Sequence, residues 1–300
     1  MISNEVAMKR NAKRQKARGP AIWIGLVLAA VVLLGFGWMG LQANLVHVMR
    51  AMVFLPDLPA AFEGKTILYA SDIDLCGGGS PAKAADLFRR LESLRPDLLI
   101  LGGDYNTHSL LQTLNGETAF SQEDARRREA FFHYINDFPA PLGRFALSAA
   151  ADGGGFAAEG FELLNDAKRG VELDGEMLWL VGVTESSEGV RRGGRSFRRG
   201  DCVIAISDTP ACFPTLNTTE AKDGGHWIDL CLAGHTHGGQ VRLIGRNLLG
   251  LNGMEERFLY GWTRETGVPM LTTSGIGCEG VGLRLGTQAE VWLITLTGNE

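Results

Sequence analysis

A long stretch without charge, from Gly19 to Val48, limits what this chain can fold into more than any other feature, because it contains no Lys, Arg, Asp or Glu. Its most apolar part, 21–41, would extend about 31 Å as a helix, which matches the apolar core of a bilayer. A cleaved signal peptide would have a shorter apolar region, of about 7–15 residues, and a small-x-small cleavage site. A helix in a protein core would carry a polar face. We therefore predict an uncleaved transmembrane helix over 21–41.

The charges on either side of this helix predict its orientation. Basic residues crowd the chain before the helix, whereas only Arg50 lies just after it. By the positive-inside rule, a basic leader at 1–20 lies in the cytoplasm and the remaining chain lies outside the cytoplasmic membrane. We expect a single-pass cell-membrane protein with a cytoplasmic N-terminus and an extracytoplasmic domain. The basic residues of the leader are Lys9, Arg10, Lys13, Arg14, Lys16 and Arg18.

The charge and the cysteines of the remaining chain exclude two classes of protein. The net charge is -5 although the leader is basic, so the part after the helix is acidic and we expect no nucleic-acid partner. The five cysteines are odd in number and contain no CxxC pair. This pattern indicates neither a disulfide framework nor a thiolate zinc site.

The chain after the helix has the pattern of an α/β fold. A connector at 42–63 precedes one domain at 64–300, in which short apolar runs alternate with amphipathic stretches. The apolar runs at 66–70 and 97–101 predict two strands, and the helix between them begins at Ser80-Pro81, a typical helix start.

The rest of the domain predicts mixed sheets. A second helix is predicted at 121–136, and the Arg- and Gly-rich segment 189–200 is predicted to be an exposed loop. Several later strands follow each other without a long helix between them, which indicates that part of the sheet is antiparallel. These strands are predicted at 145–148, 177–183, 202–206, 228–233, 270–273 and 291–296.

Carboxylate and imidazole side chains follow four of the predicted strands. The carboxyl ends of strands are where α/β folds place ligands, so these side chains should converge on one edge. Each of them alone would be explained as a turn or cap residue, but the ordered set favours a metal site. Oxygen ligands mixed with imidazole suit one or two divalent ions, of Mn, Fe, Zn or Mg. The candidate ligands are Asp72, Asp74, Asp104, Asp208, His235 and His237.

The segment Gly234-His235-Thr236-His237-Gly238-Gly239-Gln240 carries a resemblance to a known family. Together with the carboxylates above, it resembles the calcineurin-like metallophosphoesterase superfamily, and within it the bacterial membrane-associated branch, over nearly all of 66–296. The resemblance implies a four-layer α/β/β/α sandwich with mixed sheets, here preceded by one N-terminal transmembrane helix. It also implies two metal ions bridged by an aspartate, and attack on phosphorus by a metal-bound hydroxide.

The resemblance assigns roles to four of the candidate ligands. It implies that Asp72 and His237 bind the first metal, that Asp104 bridges the two metals, and that His235 binds the second. The family usually has histidine at the positions of Asp74 and Asp208, where a carboxylate keeps a ligand but adds negative charge and favours harder ions.

Two further departures affect the second metal and the proton donor. Ala150 stands where the family has an asparagine ligand, and Ala151 stands where it has the histidine that assists the leaving oxygen. General acid assistance contributes about 10²–10⁴ in rate, so its loss weakens catalysis by the metals without abolishing it. We regard His108 as a candidate replacement for the missing acid, the alternative being an exposed or capping histidine.

Two functions follow from these observations. The first is a metal-dependent phosphoesterase that hydrolyses a phosphomonoester, phosphodiester or pyrophosphate bond in a phosphorylated small molecule or a lipid, since the membrane helix would hold the site near the bilayer. The second is a catalytically degenerate relative that binds a metal or an anionic ligand without turnover. The loss of the usual residues at Ala150 and Ala151 is the reason for considering it.

Overall fold

A long N-terminal helix, α1, spans Ile2–Asn44 in the structure. The structure is a computed structural model that describes residues 2–298 apart from 76–79, 110, 111, 113, 117–119, 149–155, 166, 184–186, 244, 245, 248–255 and 266. Among these residues, one stretch, Ile22–Asn44, is long and apolar enough to cross a membrane. The side chains at 22–38 are exposed, so the alternative of a buried core helix is wrong.

The first sheet has six strands, and the sequence analysis did not predict its edge strand. β1 pairs in parallel with the C-terminal β14, and β14 pairs antiparallel with β2. The predicted connector at 42–63 is therefore not a linker throughout, because Val46–Phe54 belongs to the sheet. In the order β1-β14-β2-β3-β4-β5, the strands are Val46–Phe54, Ala289–Thr297, Thr66–Ala70, Leu98–Leu101, Arg144–Ala146 and Glu162–Leu163.

The second sheet also has six strands and is mixed. Its central strands β13, β9, β8 and β7 are parallel, and an antiparallel strand closes each edge. A short antiparallel pair, β10 (Arg242–Leu243) and β11 (Arg246–Asn247), lies apart from both sheets. In the order β12-β13-β9-β8-β7-β6, the strands are Gly261–Glu265, Val268–Thr272, Leu230–Ala233, Val203–Ser207, Glu176–Val183 and Lys168–Leu173.

Helices cover the outer faces of the two sheets. α2 (Pro81–Leu91) and α3 (Gln122–Ile135) pack on the first sheet, and α4 (Ser187–Gly194) and α5 (Phe213–Thr218) pack on the second. One apolar cluster lies between each sheet and its helices, and another fills the space between the two sheets with residues from both. The predicted four-layer α/β/β/α sandwich with mixed sheets is confirmed. Single 3₁₀ turns lie at Ala60–Phe62, Glu92–Leu94, Pro210–Cys212, His237–Gly239 and Glu256–Phe258.

The prediction of an exposed loop at 189–200 is wrong for its first half, whereas 195–200 is a loop in which Arg195, Arg198 and Arg199 are exposed. Its first half continues α4, and the side chains of Val190 and Phe197 are buried. Gly193 allows this packing, because a Cβ at that position would lie 2.7 Å from the Trp227 ring. The arginines suggested an exposed segment, but the apolar residues between them pack it against the domain.

Candidate metal centre

The candidate ligands of the first sheet lie on two neighbouring segments. The parallel register pairs Ala70 with Leu101, so the residues that follow β2 and β3 leave the sheet side by side. The Asp72 amide donates to the Gly103 carbonyl (3.1 Å), and the Asp74 amide donates to the Asp104 carbonyl (3.3 Å). The three carboxylates therefore sit next to each other at the carboxyl edge of the sheet.

The second sheet brings two imidazoles to the same place. After β9, the His235 amide donates to Asp72 Oδ1 (2.7 Å), and the His235 ring Nδ1 lies 3.0 Å from Asp104 Oδ2. His237 Nδ1 lies 3.5 Å from Asp74 Oδ2, and His237 Nε2 lies 4.0 Å from Asp72 Oδ1. Five of the six predicted ligands thus form one cluster, although their roles as ligands stay predictions.

The remaining predicted site residues are Asp208 and His108. Asp208 follows β8 and its charge acts on the His235 ring, where it helps to raise the pKa of that imidazole. His108 stacks on Phe120 with 4.4 Å between ring centroids, and its Nδ1 makes no hydrogen bond within the described part of the chain. Its catalytic role stays a prediction. Ala150 and Ala151 lie outside the described residues.

The backbone is left-handed at every residue of the cluster. Asp72 (φ 53°), Asp74 (φ 52°), Asp104 (φ 52°), His235 (φ 72°) and His237 (φ 50°) all have positive φ. For L-residues this conformation costs roughly 1–2 kcal/mol each, and such strain concentrates at functional sites. Only three other described non-glycine residues share it. The cluster is therefore where this fold concentrates its backbone strain.

Three glycines let other segments approach the carboxylates closely. A Cβ on Gly234 would lie 2.5 Å from Asp72 Oδ2, one on Gly275 would lie 2.5 Å from Asp72 Cβ, and one on Gly277 would lie 2.3 Å from Asp74 Cβ. None of these positions has room for a side chain. The glycines of the family motif and of the 275–277 segment are thus required by contact with the carboxylates.

The electrostatics of the cluster favour a bound cation. Burial, together with the charge of Asp104, raises the pKa of Asp72, and burial with the charges of Asp72 and Asp104 raises the pKa of Asp74. The hydrogen bond with Asp104 and the surrounding carboxylates raise the pKa of His235 to about 9. Burial, with the positive charge of Arg284, lowers the pKa of His237 to about 3, so this ring is neutral, as a metal ligand must be.

The donor set fits a divalent ion, although the side chains do not surround one point. Asp72 Oδ2, Asp74 Oδ2 and His237 Nδ1 are buried and have no hydrogen-bond partner in the described part of the chain. Buried polar atoms are normally paired, so three such atoms together indicate a missing ligand. As placed, however, no three His, Cys, Asp or Glu side chains among the described residues could hold a metal ion. His235 and Asp104 instead pair with each other.

A fully buried arginine organises the site, although the sequence analysis assigned it no role. Arg284 connects the loop after β9 with the loop after β13, and these loops carry His237 and the three glycines that contact the carboxylates. Its guanidinium donates to the carbonyls of His237 (3.4 Å), Ser274 (2.6 Å), Gly275 (3.2 Å), Gly277 (2.5 Å) and Gln288 (3.2 Å).

Two other buried polar residues support the same loops. Gln240, the last residue of the motif, donates to the carbonyls of Glu279 (2.9 Å) and Val281 (3.0 Å) and accepts from the Glu279 amide (2.8 Å). Glu290 accepts hydrogen bonds through both of its carboxylate oxygens. Its donors are Tyr260 Oη (2.8 Å), Thr273 Oγ1 (3.0 Å), the Ser274 amide (3.1 Å) and Trp292 Nε1 (2.7 Å).

Comparisons with known proteins find relatives whose names include a metallophosphoesterase and a phosphodiesterase. No family model matches the chain. The chain is 24% identical over 274 residues to an uncharacterized metallophosphoesterase of Aquifex aeolicus, a match that covers 89% of this chain and 97% of the relative. It is 27% identical over 294 residues to phosphodiesterase YaeI of Escherichia coli (87% and 93% covered). It is 25% identical over 226 residues to the uncharacterized protein YpbG of Bacillus subtilis (72% and 76% covered).

The similarity to the first two relatives extends over most of both chains, and the Gly-His-Thr-His-Gly-Gly-Gln segment lies at the carboxylate cluster. These findings support the resemblance of the chain to the calcineurin-like metallophosphoesterase superfamily.

Proposed function

We propose that this protein is a metal-dependent phosphoesterase that hydrolyses a phosphomonoester, phosphodiester or pyrophosphate bond. The observation that carries the proposal is the group of buried ligand atoms on Asp72, Asp74 and His237 that have no hydrogen-bond partner among the described residues. The names of the Aquifex aeolicus and Escherichia coli relatives, a metallophosphoesterase and a phosphodiesterase, support the reaction class.

The candidate ligands would bind two divalent ions. Asp72, Asp74, Asp104 and His237 would hold one divalent ion, and Asp104 with His235 and Asp208 would hold a second. A bound divalent ion supplies positive charge that stabilises the phosphoryl oxygens and activates water. The chemistry of the ligands determines which ion the site prefers. Most of the candidate ligands are carboxylates, so Mn or Mg suits the site at least as well as Zn or Fe.

His235 is the residue of the cluster best placed to meet the substrate. Its side chain is 46% exposed, whereas the side chains of His237 and Asp72 are 6% and 0% exposed. Asp104 holds the ring through Nδ1, which leaves Nε2 as the nitrogen that can bind the second ion, next to the phosphoryl group. A metal-binding imidazole whose other ring nitrogen is held by a carboxylate is a common arrangement.

We also propose that the domain lies outside the cytoplasmic membrane, held there by α1. The basic residues before the helix support this orientation. With the membrane as an interaction partner, the substrate would be a phosphorylated small molecule or a lipid.

The experiment that tests the proposal measures metal content and activity together. Full-length protein purified in detergent is loaded with MnCl₂ and assayed on bis(para-nitrophenyl) phosphate. We expect His235→Ala and Asp72→Asn to lose activity by at least about 100-fold, since even partners of metal ligands cost up to that much. His226→Ala, an exposed histidine away from the cluster, is the matched control. Background activity with every divalent ion would refute the proposal.

The second candidate function, binding without turnover, has one observation in its favour. Ala150 and Ala151 stand where the family usually has an asparagine ligand and a histidine that assists the leaving oxygen. If the wild type binds metal but stays inactive, the changes Asp74→His, Asp208→His, Ala150→Asn and Ala151→His restore the usual family residues. Activity gained by this variant would identify a site that has lost turnover.

A further inference from the structure

A cavity of about 480 Å³ lies next to the candidate metal centre, between the end of α1, the start of β1, α2 and the 276–282 segment. Its volume is that of a small-molecule pocket. Most of its wall is apolar. The largest apolar side chains in the wall are Leu45, Ile73, Leu87, Leu91, Leu94 and Ile276.

One end of the cavity reaches the carboxylate cluster. Asp74 and Gly277 belong to its wall, and Asp74 is the carboxylate that lies 3.5 Å from the His237 ring. Asp74 therefore belongs both to the wall of the cavity and to the candidate metal centre, so a molecule in the cavity lies next to the cluster.

The other end of the cavity lies at the last turn of the membrane helix. Ala43 and Asn44 of α1 form part of the wall. The helix is fixed to the domain, because the Arg284 amide donates to the Met39 carbonyl (3.1 Å) and Lys83 Nζ donates to Asn44 Oδ1. From Ile22, about 20 residues of helix cross a bilayer core, so the membrane surface lies close to Ala43 and the cavity.

The outer face of β1 continues this surface. Leu45 (48% exposed) and Val48 (38% exposed) line the cavity, and Met52 (73% exposed) shares the face of Val48 four residues further along the strand. Alternate residues of a strand face the same side, so Arg50 lies between these apolar side chains. An exposed apolar strip with a cation, beside a membrane helix, suits contact with lipid.

The charges around the cavity indicate an anionic lipid. Lys83 and Arg90 of α2 line it, whereas its only carboxylate among the described lining residues is Asp74, at the cluster. Cations near the membrane surface attract anionic headgroups. A second copy of the chain or a soluble ligand would explain the apolar wall, but neither would explain why the cavity opens at the membrane helix.

We propose that this cavity binds the acyl part of an anionic phospholipid-like substrate, whose phosphoester lies at the carboxylate cluster. The assignment of the phosphoester rests on the proposed phosphoesterase function, and the binding of the acyl chain does not. The substrate reaches the site from the bilayer, along the end of α1, without leaving the membrane surface.

Ala84 and Ala82 of α2 provide a matched pair of variants for the test. Ala84 lines the cavity, whereas Ala82 is exposed and does not. Full-length protein in dodecyl maltoside micelles, with MnCl₂, is titrated with phosphatidic acid or diacylglycerol that carries a nitrobenzoxadiazole-labelled acyl chain. We expect tighter binding of the phosphatidic acid, and a loss of about tenfold in Ala84→Trp relative to Ala82→Trp, the effect of about two lost methylene contacts.

The possible outcomes separate the two proposals. Equal binding by Ala84→Trp and Ala82→Trp, equal binding of the two lipids, or a change of oligomeric state in Ala84→Trp would each overturn the lipid assignment. If circular dichroism shows that Ala84→Trp does not fold, Leu87→Asn is titrated instead. If the wild type and Ala82→Trp hydrolyse no bis(para-nitrophenyl) phosphate while the lipid binding follows expectation, the phosphoesterase proposal fails and the lipid pocket stands.

Discussion

The contact between Gly275 and Asp72 allows a sharp test of how the candidate metal centre is built. A Cβ on Gly275 would lie 2.5 Å from Asp72 Cβ and 2.7 Å from Asp72 Oδ2. The Cβ of Asp72 is fixed to its backbone, so rotation of the side chain cannot relieve the contact. Gly275→Ala must therefore displace one of the two loops, which is the situation of an overpacked core.

Gly64 offers a control with the same backbone conformation. Its φ is +73° and that of Gly275 is +69°, but a Cβ on Gly64 would have no atom of the described residues within 4 Å. Both alanine substitutions incur the left-handed penalty of roughly 1–2 kcal/mol. Only Gly275→Ala adds the cost of overpacking, about 1–3 kcal/mol. The difference between the two variants therefore isolates the contact with Asp72.

The assay is thermal unfolding of the full-length protein in detergent, combined with Mn²⁺ titration calorimetry. For a domain of this size, the extra cost corresponds to a melting temperature roughly 2–12 °C lower in Gly275→Ala than in Gly64→Ala. We also expect Gly275→Ala to bind Mn²⁺ more weakly, since Asp72 moves. Equal melting temperatures and equal Mn²⁺ affinities in the two variants would refute this reasoning.

Four further predictions concern stability, pH, orientation and metal. Arg284→Met should destabilise the protein by at least about 3 kcal/mol, because it leaves several buried carbonyls without a donor, whereas the exposed Arg89→Met should have little effect in urea unfolding. Burial raises the pKa of Asp229 to about 6, so the folded state favours the protonated carboxyl group. As the pH rises from about 4 to 7, the wild type should therefore lose up to about 3 kcal/mol of stability relative to Asp229→Asn, which urea midpoints measure. Trypsin added to intact spheroplasts should digest the domain, and protection of the domain would contradict the proposed orientation. Saturating MnCl₂ should raise the melting temperature of the wild type by about 5–10 °C, and that of Asp74→Asn by much less.

The sequence predicted those elements whose signals are local. The predicted strand at 66–70 has the same bounds as β2, and the predicted helix at 121–136 is α3, where Ser121 and Asp124 form a capping box. β1 was missed, because its partner β14 lies at the other end of the chain and its residues are only half-buried. Pairing over such a distance leaves no periodic signal in the strand itself.

The candidate site was predictable in its residue types but not in its supports. The carboxylates and imidazoles follow apolar runs, and parallel strands bring such positions to one edge, so their convergence followed from the pattern. Arg284, Gln240 and Glu290 bind mostly to backbone groups of distant loops, whose positions depend on the completed fold. The Gly-His-Thr-His segment predicted where the site is, and only the structure shows what holds it.

The backbone strain and the charge of the cluster give a physical reason to expect that a bound metal ion stabilises the protein. Five left-handed residues cost roughly 5–10 kcal/mol together, which is comparable to the whole stability of a domain. Burial and mutual repulsion add a further cost at Asp72 and Asp74, whose pKa values are both raised. A divalent ion that binds only the folded state would offset the repulsion directly. The arrangement therefore opposes stability in the metal-free protein, and binding of an ion by the native state is the interaction that makes it useful.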